Sequence, residues 1–294
     1  MSCLVTGAGG FIGSALVRAI APEPVVALDS CEQNLFEVQD AAHAAVLGSV
    51  CDAGLIDELF LRFRPEIVYH AAAFKHVPML ESNPFAAVQN NAIGTYTVAD
   101  AARRHGAKMV LVSTDKAANP CSMLGYSKRL AERMVVSMGG VAVRLGNVIG
   151  SPGSVMPLLM KQIAAGGPVT VTHPDAARWF LLRREAVEAI LCGGAADCSG
   201  RILVPEMRDP VRIADIAEYL IGDAKVEIRF TGLRPGDKLT EELVAADEIM
   251  EGRAGTLKVV RIAAPTPSEL CALVDRLTAC LATRDLPGLM QAIQ

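Results

Sequence analysis

The 294-residue chain carries 28 basic and 32 acidic residues, a net charge of −4 with no basic stripe, which speaks against nucleic acid or an anionic membrane as partner. Apolar residues are 51% of the total and charged ones 20%, which excludes a disordered or fibrous chain and leaves enough material for a large core. Aromatics are only 4%, so Ala, Val, Leu and Ile must fill that core, a mixture that suits parallel strands sandwiched by helices.

At roughly 150 residues per domain the length suggests two units. No apolar run approaches the roughly 18 residues that cross a bilayer. The first strand-like run begins at Ser2, so no signal peptide is expected. Eight cysteines, at 3, 31, 51, 121, 192, 198, 271 and 280, form no C-x-x-C pair and read as small buried hydrophobes of a reducing compartment. The expected location is the cytoplasm.

Strand and helix patterns alternate from the start. Cys3 to Thr6 is a short apolar run, followed by a Gly-rich turn and a helical stretch from Phe11 to Ile20. Val25 to Asp29 is strand-like, and Glu66 to Ala72 and Lys108 to Thr114 are buried-strand runs. Between them Pro84 to His105 has helical spacing, with Asn83 as N-cap and Pro84 at the first helical position. The Pro84 to Ala102 part reads equally as a dimer interface or a core helix, and a homo-oligomer is expected by analogy. Leu124 to Met138 is a further helix and Val141 to Leu145 the next strand. Such repeats predict a Rossmann-type, doubly wound parallel sheet over residues 1–150. After Gly150, Pro and Gly become frequent and strands shorten, as at Val169 to Thr172 and Val226 to Phe230. Residues 151–294 are expected to form mainly a smaller α+β substrate lobe. About 180–205 are expected to rejoin the first sheet, through a strand at Ile202 to Pro205. Pro265 to Gln294 reads as helices without identifiable chemistry.

Gly7, Gly10 and Gly13 stand at G-x-x-G-x-x-G spacing between the first strand and helix, with Phe11 and Ile12 opening the helix. Glycine belongs where the backbone turns tightly and meets a pyrophosphate, and the helix N-terminus adds free N–H groups. Asp29 closes the second strand about twenty residues on, where a carboxylate accepts from the adenosine ribose hydroxyls and favours NAD over NADP. Asp52 is either a receiver of the adenine amino group or a helix N-cap. A nicotinamide dinucleotide is therefore the expected cofactor, with NADP as the alternative to NAD.

Ser113-Thr114-Asp115-Lys116 falls at the C-terminal end of a central strand, where open α/β sheets place ligands. Lys128, Arg129 and Glu132 follow on the next helix. His43, His70, His76, His105 and His173 show no metal-ligand spacing, so no metal is expected. Arg144, Arg178, Arg234 and Lys238 are candidates for gripping a diphosphate, against the alternative of surface salt bridges.

Several blocks together resemble the extended short-chain dehydrogenase/reductases, and among them the bacterial UDP-N-acetylglucosamine 4,6-dehydratases of polysaccharide biosynthesis. These are Ala71-Ala72-Ala73-Phe74-Lys75-His76-Val77-Pro78, Ser113-Thr114-Asp115-Lys116, Lys128-Arg129-Leu130-Ala131-Glu132, Gly146-Asn147-Val148, the Val169 to Asp175 run, and Gly232-Leu233-Arg234-Pro235-Gly236-Asp237-Lys238. The resemblance spans about residues 3–245. It implies a redox-neutral dehydration of a UDP-sugar, with the dinucleotide tightly bound and recycled. It also implies Lys116 as base at C5, Asp115 as acid for the departing C6 hydroxyl, Thr114 on the C4 oxygen and Lys128 on the nicotinamide ribose. Ala71, Ala72 and Ala73 would border the cofactor. Lys75, His76, Asn147 and Ser154 would face the sugar, Val169 and Thr170 the uracil, and Arg178 and Arg234 the phosphates. Two positions depart from the pattern. Leu124 stands where these enzymes usually carry Tyr, which puts the C4 base on Asp115 acting through Thr114 or a water, with Tyr126 as a weaker candidate. Pro152 replaces an Arg. A sugar-nucleotide 4-epimerase and a catalytically silent binder of dinucleotide or UDP-sugar are the rival readings; the first depends on the missing Tyr.

Overall fold

Successive residues of the first strand enter opposite apolar layers: Cys3 and Val5 pack into one, Leu4 into the other. A strand buried on both faces needs helices on both sides, and the computed structural model, which describes residues 2–294, has them. Nine strands form one sheet: β1 (Cys3–Thr6), β2 (Val25–Asp29), β3 (Ala44–Leu47), β4 (Ile67–His70), β5 (Lys108–Thr114), β6 (Val141–Leu145), β7 (Arg201–Pro205), β8 (Ile249–Ala254) and β9 (Leu257–Arg261). Their order is β8-β9-β7-β6-β5-β4-β1-β2-β3. From β3 to β7 the strands are parallel, while β9 runs antiparallel to both β7 and β8. The order reverses at β1, which has β2 on one side and β4 on the other, the place where a crevice opens beyond the strand ends. This is the expected doubly wound Rossmann-type sheet.

Helices α1 (Phe11–Ile20) and α6 (Arg183–Ala195) cover one face; α2 (Ala53–Phe63), α3 (Gly94–His105) and α4 (Met123–Ser137) cover the other. The return of the chain at Arg201–Pro205 pairs with β6 as expected. The hairpin of β8 and β9, which extends the sheet further, carried no signal in the sequence pattern. A smaller lobe of α5 (Val155–Ala164), α7 (Ile213–Ile221) and the paired strands Val169–Val171 and Ile228–Phe230 has its own apolar centre of Leu159, Val169, Val171, Ile213 and Ala217.

Three expectations need correction. The predicted helix from Pro84 to His105 is α-helical at Pro84–Val88, widens into a π-turn at Gln89–Ile93, and resumes as α3. Asn83 precedes it without capping it, since its amide donates back to the Met79 carbonyl at 2.8 Å. The cysteines are not uniformly buried: Cys3 and Cys280 are, whereas Cys31, Cys121, Cys192 and Cys271 are exposed. Ala87, Val88 and Ala92 pack with Leu273, Leu277 and Leu289 of α8 (Pro267–Thr283) and α9 (Leu286–Ile293), so the core reading applies to that helical face. Among the described residues, no helix is long and apolar enough to cross a membrane.

Candidate active site

The glycine turn is shaped by close backbone approach. Gly7 has φ +65°, and a Cβ there would lie 2.6 Å from the Ala72 nitrogen. A Cβ on Gly13 would lie 1.9 Å from the Gly7 carbonyl oxygen. No side chain caps α1, so its first-turn N–H groups face the crevice, as an anionic pyrophosphate requires. Asp29 accepts from Gly9 N–H and Cys31 N–H, both at 2.9 Å, and lines a hollow with Gly48, Ser49 and Val50. That hollow shares Gly7, Gly10, Ala71 and Ala73 with a larger cleft of about 770 Å³, so one continuous groove crosses the sheet end. The groove fits a dinucleotide: a backbone cradle at its centre and a carboxylate at one end. Asp52 is outside it. Its carboxylate accepts from Leu55 N–H at 3.0 Å as the N-cap of α2, the local bond of an Asp three residues before a free amide.

At the end of β5, three donors and acceptors converge. Thr114 Oγ1 donates to Asp115 Oδ1 at 2.9 Å, and Lys116 Nζ donates to the same oxygen at 2.9 Å. Lys116 Nζ also donates to Asn147 Oδ1 at 3.3 Å and lies 3.7 Å from Glu241 Oε1. Thr114 and Lys116 line the cleft, whereas Asp115 is fully buried behind them with Oδ2 unpartnered. Asp115 therefore communicates with the cleft through its two neighbours and not by direct contact with a sugar hydroxyl.

Lys128 projects from α4 and donates from Nζ to the Val112 carbonyl at 2.8 Å. Its burial pushes the ammonium down to about 8. Leu124 forms the cleft wall one helical turn earlier. Tyr126 packs into the apolar layer beneath α8 and α9 and does not line the cleft, because two residues on a helix turn it about 200° away from Lys128. Behind the cleft His70 is buried between Thr6 Oγ1 at 2.7 Å and Thr95 Oγ1 at 2.9 Å. Thr95 spends its own proton on the Asn91 carbonyl, so it accepts from His70 Nε2–H, and His70 Nδ1 accepts from Thr6. Burial drives this imidazole down to about 3, so it is neutral.

On the other side of the cleft, Lys75 Nζ donates to Ser151 Oγ at 2.6 Å and to the Pro152 carbonyl at 2.7 Å, pinning the 150–154 turn. His76 packs against Gly153, and His76, Asn147 and Ser154 line the cleft with Lys75.

The remaining sugar-nucleotide candidates are not brought in. Arg144 has no exposure and is held by Glu132 of α4 and by Glu248, because its side chain is buried between β6 and α4. Lys238 donates to the Ala118 carbonyl at 3.0 Å and lies beside Glu241. Arg178 donates to the Ala177 and Leu239 carbonyls, and Arg234 pairs with Asp237 at 3.1 Å on the surface. Val169 is paired in its strand, and Thr170 N–H already donates to Gln162 Oε1 at 3.0 Å. None of these residues lines the cleft. His173 shapes its loop by accepting from Asp175 N–H.

Three residues at the site escaped the sequence reading. Glu241 follows Lys238 by three positions, just past the recognised block. Asn91 sits in the π-turn, accepting from Phe74 N–H and donating to the Phe74 carbonyl, and so fixes the 71–76 loop. Arg183 donates to Ser14 Oγ at 2.7 Å and stacks its guanidinium 4.4 Å over the Phe11 ring at the mouth of the glycine turn.

The chain is 41% identical over 271 residues to the capsular polysaccharide biosynthesis protein CapD of Staphylococcus aureus, covering 84% of this chain and 45% of that protein. It is 29% identical over 265 residues to the inverting UDP-N-acetylglucosamine 4,6-dehydratase of Campylobacter jejuni, covering 83% and 78%. The chain thus spans less than half the length of the first of these. UDP-glucose 4-epimerases also occur among its relatives and structural neighbours. In fold it matches the dTDP-glucose 4,6-dehydratase DesIV of Streptomyces venezuelae, solved with NAD bound, at TM-score 0.75 and 21% identity, each chain fully covered. Residues 3–261 match the sequence profile of the polysaccharide biosynthesis proteins. With that match, on a sheet shared with sugar-nucleotide dehydratases and epimerases, the chain belongs to the polysaccharide biosynthesis protein family.

Proposed function

We propose that the chain catalyses 4,6-dehydration of a UDP-N-acetyl-hexosamine, with UDP-N-acetylglucosamine as the first candidate, to a UDP-4-keto-6-deoxy sugar. The observation that carries this is the Thr114–Asp115–Lys116 cluster opening into the cleft while a non-ionisable Leu124 occupies the position an epimerase gives to Tyr. Gly7, Gly10 and Gly13 with Asp29 would hold a nicotinamide dinucleotide. That group supplies hydride removal from C4 and hydride return to C6.

The residues do the proton work. Thr114 Oγ1 directs its proton to Asp115 Oδ1 and accepts from Lys116 N–H at 3.4 Å, so one lone pair is left to accept from a C4 hydroxyl, and Thr114 relays that proton to the buried carboxylate. Lys116 Nζ and Asp115 are joined by one hydrogen bond at 2.9 Å, so a proton can pass between them. Elimination takes a proton from C5 and delivers one to the C6 oxygen, which leaves as water. Hydride return to C6 is matched by a proton delivered to C5, which gives back the one taken from the C4 hydroxyl, so the pair ends the cycle with the proton count it started with, Lys116 Nζ being its cleft-facing atom. Lys128 would bind the nicotinamide ribose, and the Lys75 clamp on residues 150–154 would seat the sugar.

The test is incubation of purified protein with UDP-N-acetylglucosamine and no added cofactor, followed by mass spectrometry and proton NMR. Loss of one water with a new C6 methyl signal is expected. An unchanged sugar, with NAD⁺ or NADP⁺ also supplied, would overturn the assignment for this substrate.

A further inference from the structure

The reaction above leaves Glu241 without a role, although its side chain is only 3% exposed and faces the reacting cluster. Its Oε1 lies 3.7 Å from Lys116 Nζ, and its Oε2 lies 3.7 Å from Lys238 Nζ with no hydrogen bond. A buried carboxylate is costly unless its charge is used. Glu241 does not come from the sheet. Its carbonyl accepts from the Trp179 indole at 2.8 Å, Leu239 accepts from Ala177 N–H, and Lys238 reaches across to the Ala118 carbonyl. The segment is thus tied at one end to residues 177–179 and at the other to the loop that follows Lys116.

The hydrogen bonds at Asp115 are lopsided. Thr114 and Lys116 both donate to Oδ1, while Oδ2 is bare. With Asp115 alone, the Lys116 ammonium would gain by bridging both oxygens. Asn147 Oδ1 at 3.3 Å and Glu241 Oε1 at 3.7 Å also attract Nζ, which bonds Asp115 through Oδ1 alone, and the lysine borders the cleft. The titratable groups around this arrangement are Asp115 and Glu241 about Lys116, Lys116 and Lys238 about Glu241, and, on the Lys238 side, Glu81, Asp237 and the neutral thiol of Cys121.

We propose that Glu241 is a positioning residue, whose carboxylate holds Lys116 Nζ at the cleft face and makes its placement depend on the 238–241 segment. What the positioned lysine then does rests on the dehydratase reading, but its placement does not.

The full chain is labelled with trace acetic anhydride between pH 6 and 10, and Lys116 acetylation is read by peptide mass spectrometry in wild type, Glu241→Gln and Glu241→Asp. Losing one of two counter-charges shifts the labelling midpoint of Lys116 down by about one pH unit in Glu241→Gln, with Glu241→Asp near wild type. An unshifted midpoint in folded Glu241→Gln protein would overturn the proposal. Should that variant not fold, Trp179→Phe removes the bond fixing the Glu241 backbone and must move the same midpoint in the same direction; no movement would overturn it equally. If dehydration occurs, the acid limb of kcat moves with the labelling midpoint while KM stays. A shifted midpoint in a protein that never dehydrates a UDP-sugar would support Glu241's placement and count against the proposed function alone.

Discussion

Arg144 grips Glu132 through two bonds, Nε to Oε1 at 3.0 Å and Nη2 to Oε2 at 2.7 Å, with both side chains fully excluded from solvent. Glu132 Oε1 also accepts from Ser113 Oγ at 2.6 Å, and the far side of the guanidinium binds Glu248, which Arg129 also contacts. The arginine is raised further above its ordinary value by these carboxylates despite its burial, and Glu248 is held down at about 2, mainly by Arg144 working against burial. This network joins the residue preceding Thr114 to α4 and to the chain leading into β8.

Arg144→Met should therefore destabilise the fold by about 3–5 kcal/mol, since it takes the shared counter-charge from two buried carboxylates. Urea unfolding at pH 7.5 measures it. Adding Glu132→Gln and Glu248→Gln should recover most of the loss, and a mild single variant would show that the network carries little.

Lys116→Ala and Asp115→Asn should each lower turnover by about 10²–10⁴-fold while leaving the dinucleotide bound. Cofactor content is read by absorbance after denaturation, and turnover by the C6 methyl signal. A fully active Lys116→Ala protein would remove Lys116 from the chemistry.

Lys128 holds a charge where burial opposes it. Lys128→Met should raise stability at pH 7 by about 1–3 kcal/mol, because a disfavoured buried ammonium is removed. The same variant should bind dinucleotide at least about tenfold more weakly, measured by titration calorimetry. Gain of stability without loss of binding would place Lys128 outside the cofactor site.

His70 has a pH signature of definite sign. Its value falls from 6.5 to about 3 on folding, so the unfolded chain binds a proton that the folded chain refuses. Stability is then full above about pH 6.5 and declines as the pH falls toward 3, by up to about 1.4 kcal/mol per unit. Glu248 adds a loss of the same sign from about 4.5 down to about 2. His70→Gln should be less stable at pH 7.5 yet flatter between pH 6.5 and 4.5. Parallel curves for the two proteins would contradict the buried neutral imidazole.

Local pattern was enough for the parallel part of the sheet and for the groove, though not for the β8–β9 hairpin or the π-turn at Gln89–Ile93. The strand from Cys3 to Thr6, the glycine turn and the parallel order follow from alternation, from φ freedom at Gly7 and from packing helices on both faces. Thr114, Lys116 and Lys128 were legible too, being set by position at a strand end and by helical spacing. Contacts between distant segments were not legible. Arg144 looks like any phosphate-binding arginine until the fold places Glu248, 104 residues later, against it. Asp52 becomes a cap because a free amide stands three residues on, whereas Glu241 meets Lys116 only because Trp179 and Ala177 seat its segment there. A residue type states which charges and hydrogen bonds are available; burial and the partners that the fold supplies decide whether they are used within the protein or left facing the cleft.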